Sequence, residues 1–297
     1  MVVIYLKKQK FLNKLLYGNN NNPDFLDTML PATRKKQFGY IIKNNWVKLL
    51  ILNLLVFLFF IPVIIHSIVS LTIFNKQFAN LNENEMLINL LPLNLSQYGV
   101  LAIIFPFSFI GLAGAAFVIR KMLFDEVVDI KSDFIKGIKY SYKIFMVIGL
   151  LFGIILFLFN YSLQFVLLSN INPFIKFVVF FMLIVLAVFL LINLMYTINL
   201  STLYYMKFFD ILKTSFYLSL KSLFKNIGVI LLTFIPVFIW IIFQFVFLKL
   251  VTVLMLLLFG FVYILLMFGE MAMYMFDTYI NIKQYPEFYK KGLSKNG

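Results

Sequence analysis

Residues 144–200 read IFMVIGLLFGIILFLFNYSLQFVLLSNINPFIKFVVFFMLIVLAVFLLINLMYTINL, and the only formal charge among them is Lys176. A bilayer crossing takes about 20 successive apolar residues. The stretch is too long for one crossing and right for two, at about 144–168 and 174–200, joined by a very short connection. Working outward, similar apolar blocks lie at about 46–74 and 98–119 on one side and at 227–248 and 250–276 on the other. The expected fold is therefore an all-α membrane protein with six transmembrane helices. A segment at 1–37 would precede a transmembrane domain at 38–280 and a tail at 281–297. Only Lys249 interrupts the last apolar run, so a tight hairpin is expected near it.

The composition excludes several function classes. The chain is 63% hydrophobic and 13% charged, against roughly half and a quarter in soluble domains. It has no cysteine, which excludes disulfides, thiol nucleophiles and thiolate metal sites. There is a single histidine, and no Walker, Gly-x-Ser-x-Gly or His-Glu-x-x-His motif occurs. An enzyme is not expected, nor is a bound metal or cofactor. The net charge of +14 fits loops facing anionic lipid headgroups and needs no nucleic-acid partner. Abundant Phe, Ile, Asn and Lys suggest an AT-rich coding bias, so no single Phe carries weight. The apolar run 2–6 is too short for a secretory signal and is followed by Lys7, Lys8, Lys10 and Lys14. An asparagine run at 19–22, then Pro23 and Asp24, reads as a flexible turn.

Loop charges give an orientation. With the N-terminus inside, 23 of the 26 basic residues fall on the inner side and only Lys76, Lys176 and Lys249 outside. The positive-inside rule then places both ends in the cytoplasm. The longest outer loop, about 75–97, is polar.

Three inner segments share a spacing as they lead into the first, third and fifth spans: Phe38-Lys43-Trp46, Phe134-Lys139-Tyr142 and Phe216-Lys221-Phe224. The two aromatics of each set stand eight residues apart, one helical face. This predicts amphipathic helices at the inner surface, with aromatics at headgroup level and lysines on anionic lipid. Alternatively it marks ordinary anchoring of span ends. In the former reading the six spans are three repeated hairpins. Over 208–226, Ile211, Leu212, Phe216, Leu220 and Phe224 can share a face.

Polar residues inside spans are the default candidates for function. His66 lies some 30 Å along the first helix at 1.5 Å per residue, near the outer interface. Glu270 stands near the inner end of the sixth span, and Arg120 ends the second on the same side, so the two could pair or each meet solvent. Asn53, Asn160, Gln164, Asn193, Asn199 and Gln244 could bond between helices. Gly111, Gly114 and their small neighbours after Pro106 predict close helix packing.

From Gly111 the chain reads GLAGAAFVIRK, then an acidic turn (Asp125, Glu126, Asp129), then SDFIKGIKYSYK ending at Lys143. This resembles the YesL-like family of bacterial membrane proteins, which carries no assigned biochemical function, with Gly114, Arg120, Asp133, Phe134, Gly137 and Lys139 at the matching positions. The strong match covers about thirty residues, and the Gly-Pro start usual for that helix is absent. The resemblance implies a bacterial cytoplasmic membrane and a setting near carbohydrate uptake, and no catalytic residue. From the residues themselves, Ser132 is expected to cap the helix that Asp133 begins, with Arg120 near the acids. The expected function is a non-enzymatic accessory or regulatory component of a membrane transport complex. The alternative is a small transporter or permease with a polar route past Glu270 and Arg120.

Overall fold

The computed structural model describes residues 30–78, 85, 88–242 and 245–294. The N-terminal lysines, the asparagine run at 19–22, much of the loop at 75–97 and Gln244 lie outside the described residues. Helix α1 (Arg34–Phe78) is followed by α2 (Leu90–Asn94), which passes through a π-turn (Leu95–Gly99) into α3 (Val100–Leu123). Then come α4 (Ile130–Leu168), α5 (Pro173–Leu203), α6 (Phe208–Lys221), α7 (Leu223–Thr233), α8 (Ile235–Ile242) and α9 (Val246–Phe276). A second π-turn (Asp277–Asn281), α10 (Ile282–Gln284) and a 3-10 turn (Pro286–Phe288) are the last elements described, and no strand occurs among the described residues. Five helical stretches are long and apolar enough to cross a membrane, six if the bent pair α6–α7 is one crossing.

Two expectations about the later spans are corrected. The block at 227–248 is not one helix, because α7 gives way to α8 at Phe234 and α8 ends at Ile242. The hairpin falls earlier than Lys249. Phe245 has extended backbone (φ −66°, ψ 119°) and α9 starts at Val246. The Lys249 amide already donates to Phe245 O, while its ammonium lies 5.6 Å from the Trp240 ring. A long aliphatic stem lets lysine sit within a helix and carry its charge elsewhere. The hairpin between α4 and α5 is where the sequence put it, closed by Asn172 accepting from the Phe174 amide, with Pro173 in the first turn.

The leading helix pair is α3–α4, and glycines let it close. A Cβ on Gly153 would stand 2.4 Å from Ala102 Cα, and one on Gly149 would stand 2.9 Å from Phe105 O. Gly114 receives the Phe134 ring at 2.7 Å, and reciprocally Gly137 receives Phe117 Cβ at 2.5 Å. Gly111 does the same for α1, whose Phe59 ring lies 2.7 Å from the hypothetical Cβ. Ser108 Oγ donates to Phe59 O at 2.9 Å on that seam. Backbones this close gain dispersion contacts that a lipid-facing surface cannot supply.

The segments leading into the spans differ among themselves. α1 breaks at Asn45 (φ −127°, ψ 17°), and Ser222 (φ −135°, ψ 46°) separates α6 from α7 at an angle of 94°. In α4 the helix runs unbroken for 39 residues, about 58 Å. Environments differ too: Phe134 is 5% exposed, beneath Gly114, whereas Phe216 is 52% and Phe224 89% exposed. The five residues expected to share a face over 208–226 divide by burial across this bend, Ile211 being buried and Phe216, Leu220 and Phe224 exposed. On α6 the buried side is Ile211, Ser215, Leu218 and Ser219. Leu212 is partly buried, and Phe216 and Leu220 are exposed.

Candidate functional site

One end of the bundle gathers the start of α1, the end of α3, the start of α4, the end of α5 and the segment after α9. It also gathers most of the described lysines, whereas Lys76, Lys176 and Lys249 stand at the opposite ends of their helices. At this basic end the chain builds a closed polar network. Arg34 donates from Nε and Nη2 to Asp277 Oδ2 at 3.0 and 2.8 Å, and from Nη1 to Gln37 Oε1 and Lys291 O. Gln37 Nε2 donates to Leu123 O (2.6 Å) and Gly292 O (3.2 Å). Asp277 Oδ1 accepts from Asn281 Nδ2 and the Lys290 amide. The Tyr204 hydroxyl donates to Asn281 Oδ1. Burial, with the Asp277 carboxylate beside it, pushes the Tyr204 phenol far above its usual value, so it stays a donor. Arg34, Gln37, Asp277, Asn281 and Tyr204 are all buried.

The tail is held by this network. Gly292 has φ +81°, and a Cβ there would stand 2.2 Å from Leu123 O, so only glycine fits. Lys291 Nζ pairs with Glu126 Oε1 at 2.7 Å and lies 4.6 Å from the Phe124 ring centroid. Phe124 stacks on Phe288 at 5.7 Å.

Beside the network opens a cavity of about 430 Å³. Phe117, Arg120 and Tyr140 form one wall. Tyr204, Tyr205 and Tyr285 form another, with Glu126, Glu287 and Lys291 also facing in. Arg120 donates from Nη1 to Thr202 O at 2.7 Å, and its guanidinium carbon lies 4.3 Å over Phe117. Its Nε is buried and has no hydrogen-bond partner among the described residues.

The motif residues predicted from sequence divide into two groups. Gly111, Gly114, Phe134 and Gly137 are packing contacts, as above. Asp133 is 3% exposed, and its Oδ2 accepts from Lys121 Nζ (2.7 Å) and the Asp129 amide (2.9 Å). This replaces the expected Ser132 cap: α4 begins at Ile130, and the carboxylate one turn in closes back on Asp129. Lys121 takes Asp133, while Arg120 lies near Glu126 of the acidic turn, on the same cavity. Lys139 is exposed. Only Arg120 reaches the cavity.

The remaining candidates lie apart. Arg120 and Glu270 make no ion pair, since Arg120 turns toward the carbonyls ending α5, and Glu270 Oε1 is buried without a donor among the described residues. His66 Nε2 lies 3.0 Å from Gln97 O in the first π-turn and 3.0 Å from Ser70 Oγ, so it ties α1 to that turn. Asn53 grips α9 at Leu257 O and Val262 N, Gln164 accepts from Asn94, and Asn193 accepts from Ser215. Asn160 and Asn199 instead bond to their own helices. Among the described residues no group of three His, Cys, Asp or Glu comes together to hold a metal.

Sequence reasoning passed over Arg34, Gln37, Asp277 and Asn281. One signal was available: the chain has only two arginines among its 26 basic residues, Arg34 and Arg120. Both are at this end, where a planar fork of donors is used as lysine could not use it.

The fold and site thus define a helical bundle with membrane-length apolar spans, a polar cap and an aromatic-walled cavity at its basic end. No protein-family model, curated protein or solved structure matches the chain.

Proposed function

We propose that this chain is a YesL-like protein of a bacterial cytoplasmic membrane, with both ends in the cytoplasm, that supports a transport complex and catalyses no reaction. Carbohydrate uptake is the setting that the resemblance implies. The observation that carries the reading is the fixed basic end. A network of buried side chains holds four chain segments and the tail in one arrangement, which presents its lysines on a platform suited to docking. The positive-inside bias supports the orientation. On α6, exposed Phe209, Phe216, Tyr217 and Leu220 beside Lys213 and Lys221 support an interfacial helix. The breaks at Asn45 and Ser222 come seven and six residues after Phe38 and Phe216, which supports an ancestral repeated hairpin. Affinity recovery of the tagged chain from native membranes after mild solubilisation is expected to bring a transporter subunit with it. Recovery of the chain alone, with and without prior cross-linking, counts decisively against the reading.

A further inference from the structure

We propose that the cavity around Arg120 binds a phosphate group. The two arginines, Arg34 buried and Arg120 partly buried, make the case by contrast. Arg34 has a carboxylate at 2.8 Å and a partner on each donating nitrogen. Arg120 has no carboxylate within ion-pairing distance among the described residues, and its Nε–H is unmatched. A partly buried guanidinium without a direct ion pair is left under-compensated, and a buried donor without an acceptor is costly. An anion in the adjoining 430 Å³ cavity relieves both.

The lining narrows the anion. Glu126 is neutralised by Lys291, so the inner wall is left with the charge of Arg120. Tyr204 has spent its hydroxyl on Asn281. Tyr140 is hydrogen-bonded to Tyr205, and Tyr205 and Tyr285, which line the same space, have hydroxyls that can donate. A tetrahedral phosphate offers acceptors in more directions than a planar carboxylate, and guanidinium groups suit it. The aromatic faces leave room for an apolar or planar body attached to it. Glu287, exposed at the edge of the cavity, opposes the anion's approach.

Two sources share this chemistry, a lipid headgroup and a soluble phosphate, and the test separates them. The purified full chain in detergent is titrated with inorganic phosphate while thermal unfolding is followed. In parallel, retention of added phosphatidylglycerol is read by native mass spectrometry. A saturable response in the first arm assigns a soluble ligand, and one in the second arm alone assigns a lipid. Arg120→Lys is expected to weaken the responding arm about tenfold or more, as loss of a charge-assisted bond requires. Glu287→Gln is expected to strengthen it several-fold by removing a like charge. If Arg120→Lys fails to fold, the Glu287→Gln result alone decides, since that side chain is exposed. Absence of a saturable response in both arms, an undiminished response in folded Arg120→Lys, or no gain in Glu287→Gln overturns the proposal.

Discussion

Arg34 and Asp277, 243 positions apart, meet with Arg34 Nε and Nη2 both donating to the same carboxylate oxygen. The first described helix and the turn after α9 are thereby joined in a site where each partner is about nine-tenths buried or more. Gln37, Asn281 and the backbone of the tail take up the other valences.

Removing one partner strands the other. Arg34→Gln is expected to cost about 3–5 kcal/mol, because Asp277 is left as an unpaired buried charge. Arg34→Met combined with Asp277→Leu should recover much of that. Thermal unfolding in detergent of the two singles and the double makes the comparison. A single substitution costing under about 1 kcal/mol would show that the pair is solvated.

Gly292→Ala strains both backbone and packing, given its positive φ and the contact with Leu123 O. Backbone strain of this kind costs of order 1–3 kcal/mol. The expected outcome is a released tail with the spans intact. Limited proteolysis should cut near residue 290 in the variant well before the wild type.

The glycines of the α3–α4 seam should separate sharply from those in open space. Gly153→Val must push Ala102 Cα away and is expected to abolish a monodisperse fold. Gly39→Ala and Gly228→Ala, with nothing within 4 Å, should raise stability by up to about 1 kcal/mol through better helix propensity. Size-exclusion profiles and unfolding temperatures distinguish the two classes, and equal effects would count against the packed seam.

Tyr204 supplies a pH signature. Its folded-state phenol is pushed above the ordinary 10.0, so its contribution is complete below that pH and is lost as the unfolded chain ionises above it. Tyr204→Phe should cost about 1–3 kcal/mol at neutral pH by leaving Asn281 without its donor. The gap between wild type and variant should narrow above pH 10. A gap constant through pH 11 would contradict the buried hydrogen bond.

The absence of cysteine permits a direct test of sidedness. A membrane-impermeant maleimide applied to intact cells should label Lys176→Cys and spare Lys139→Cys until the membrane is opened. The reverse pattern would invert the orientation drawn from the lysines.

How much of this was legible depended on range. The apolar blocks and the Asn172-Pro173 turn are local, so they could be read directly. The Gly114–Phe134 and Gly137–Phe117 contacts were half legible, since small residues announce close packing without naming what fills them. The hairpin before Val246 was placed too late because Lys249 resembles punctuation, while the extended residue that precedes α9 is the apolar Phe245. Asn45 and Ser222 break helices without proline, glycine or a charge pattern to mark them. The cap was the least legible part. Gln37 meets Leu123 and Gly292 only after the chain has folded, and nothing in the neighbourhood of each residue names its partners. The pairing weighed between Arg120 and Glu270 failed for the same reason: sharing an end of the bundle does not set which way a side chain turns.

The span of 243 positions between Arg34 and Asp277 also sets an order in time. During synthesis Arg34 is made before Asp277 and waits, its guanidinium without that carboxylate, until some 240 further residues have been added. The cap therefore closes only after α9 has been made, and a chain stalled within that helix would display an unsatisfied arginine to the cell's membrane proteases.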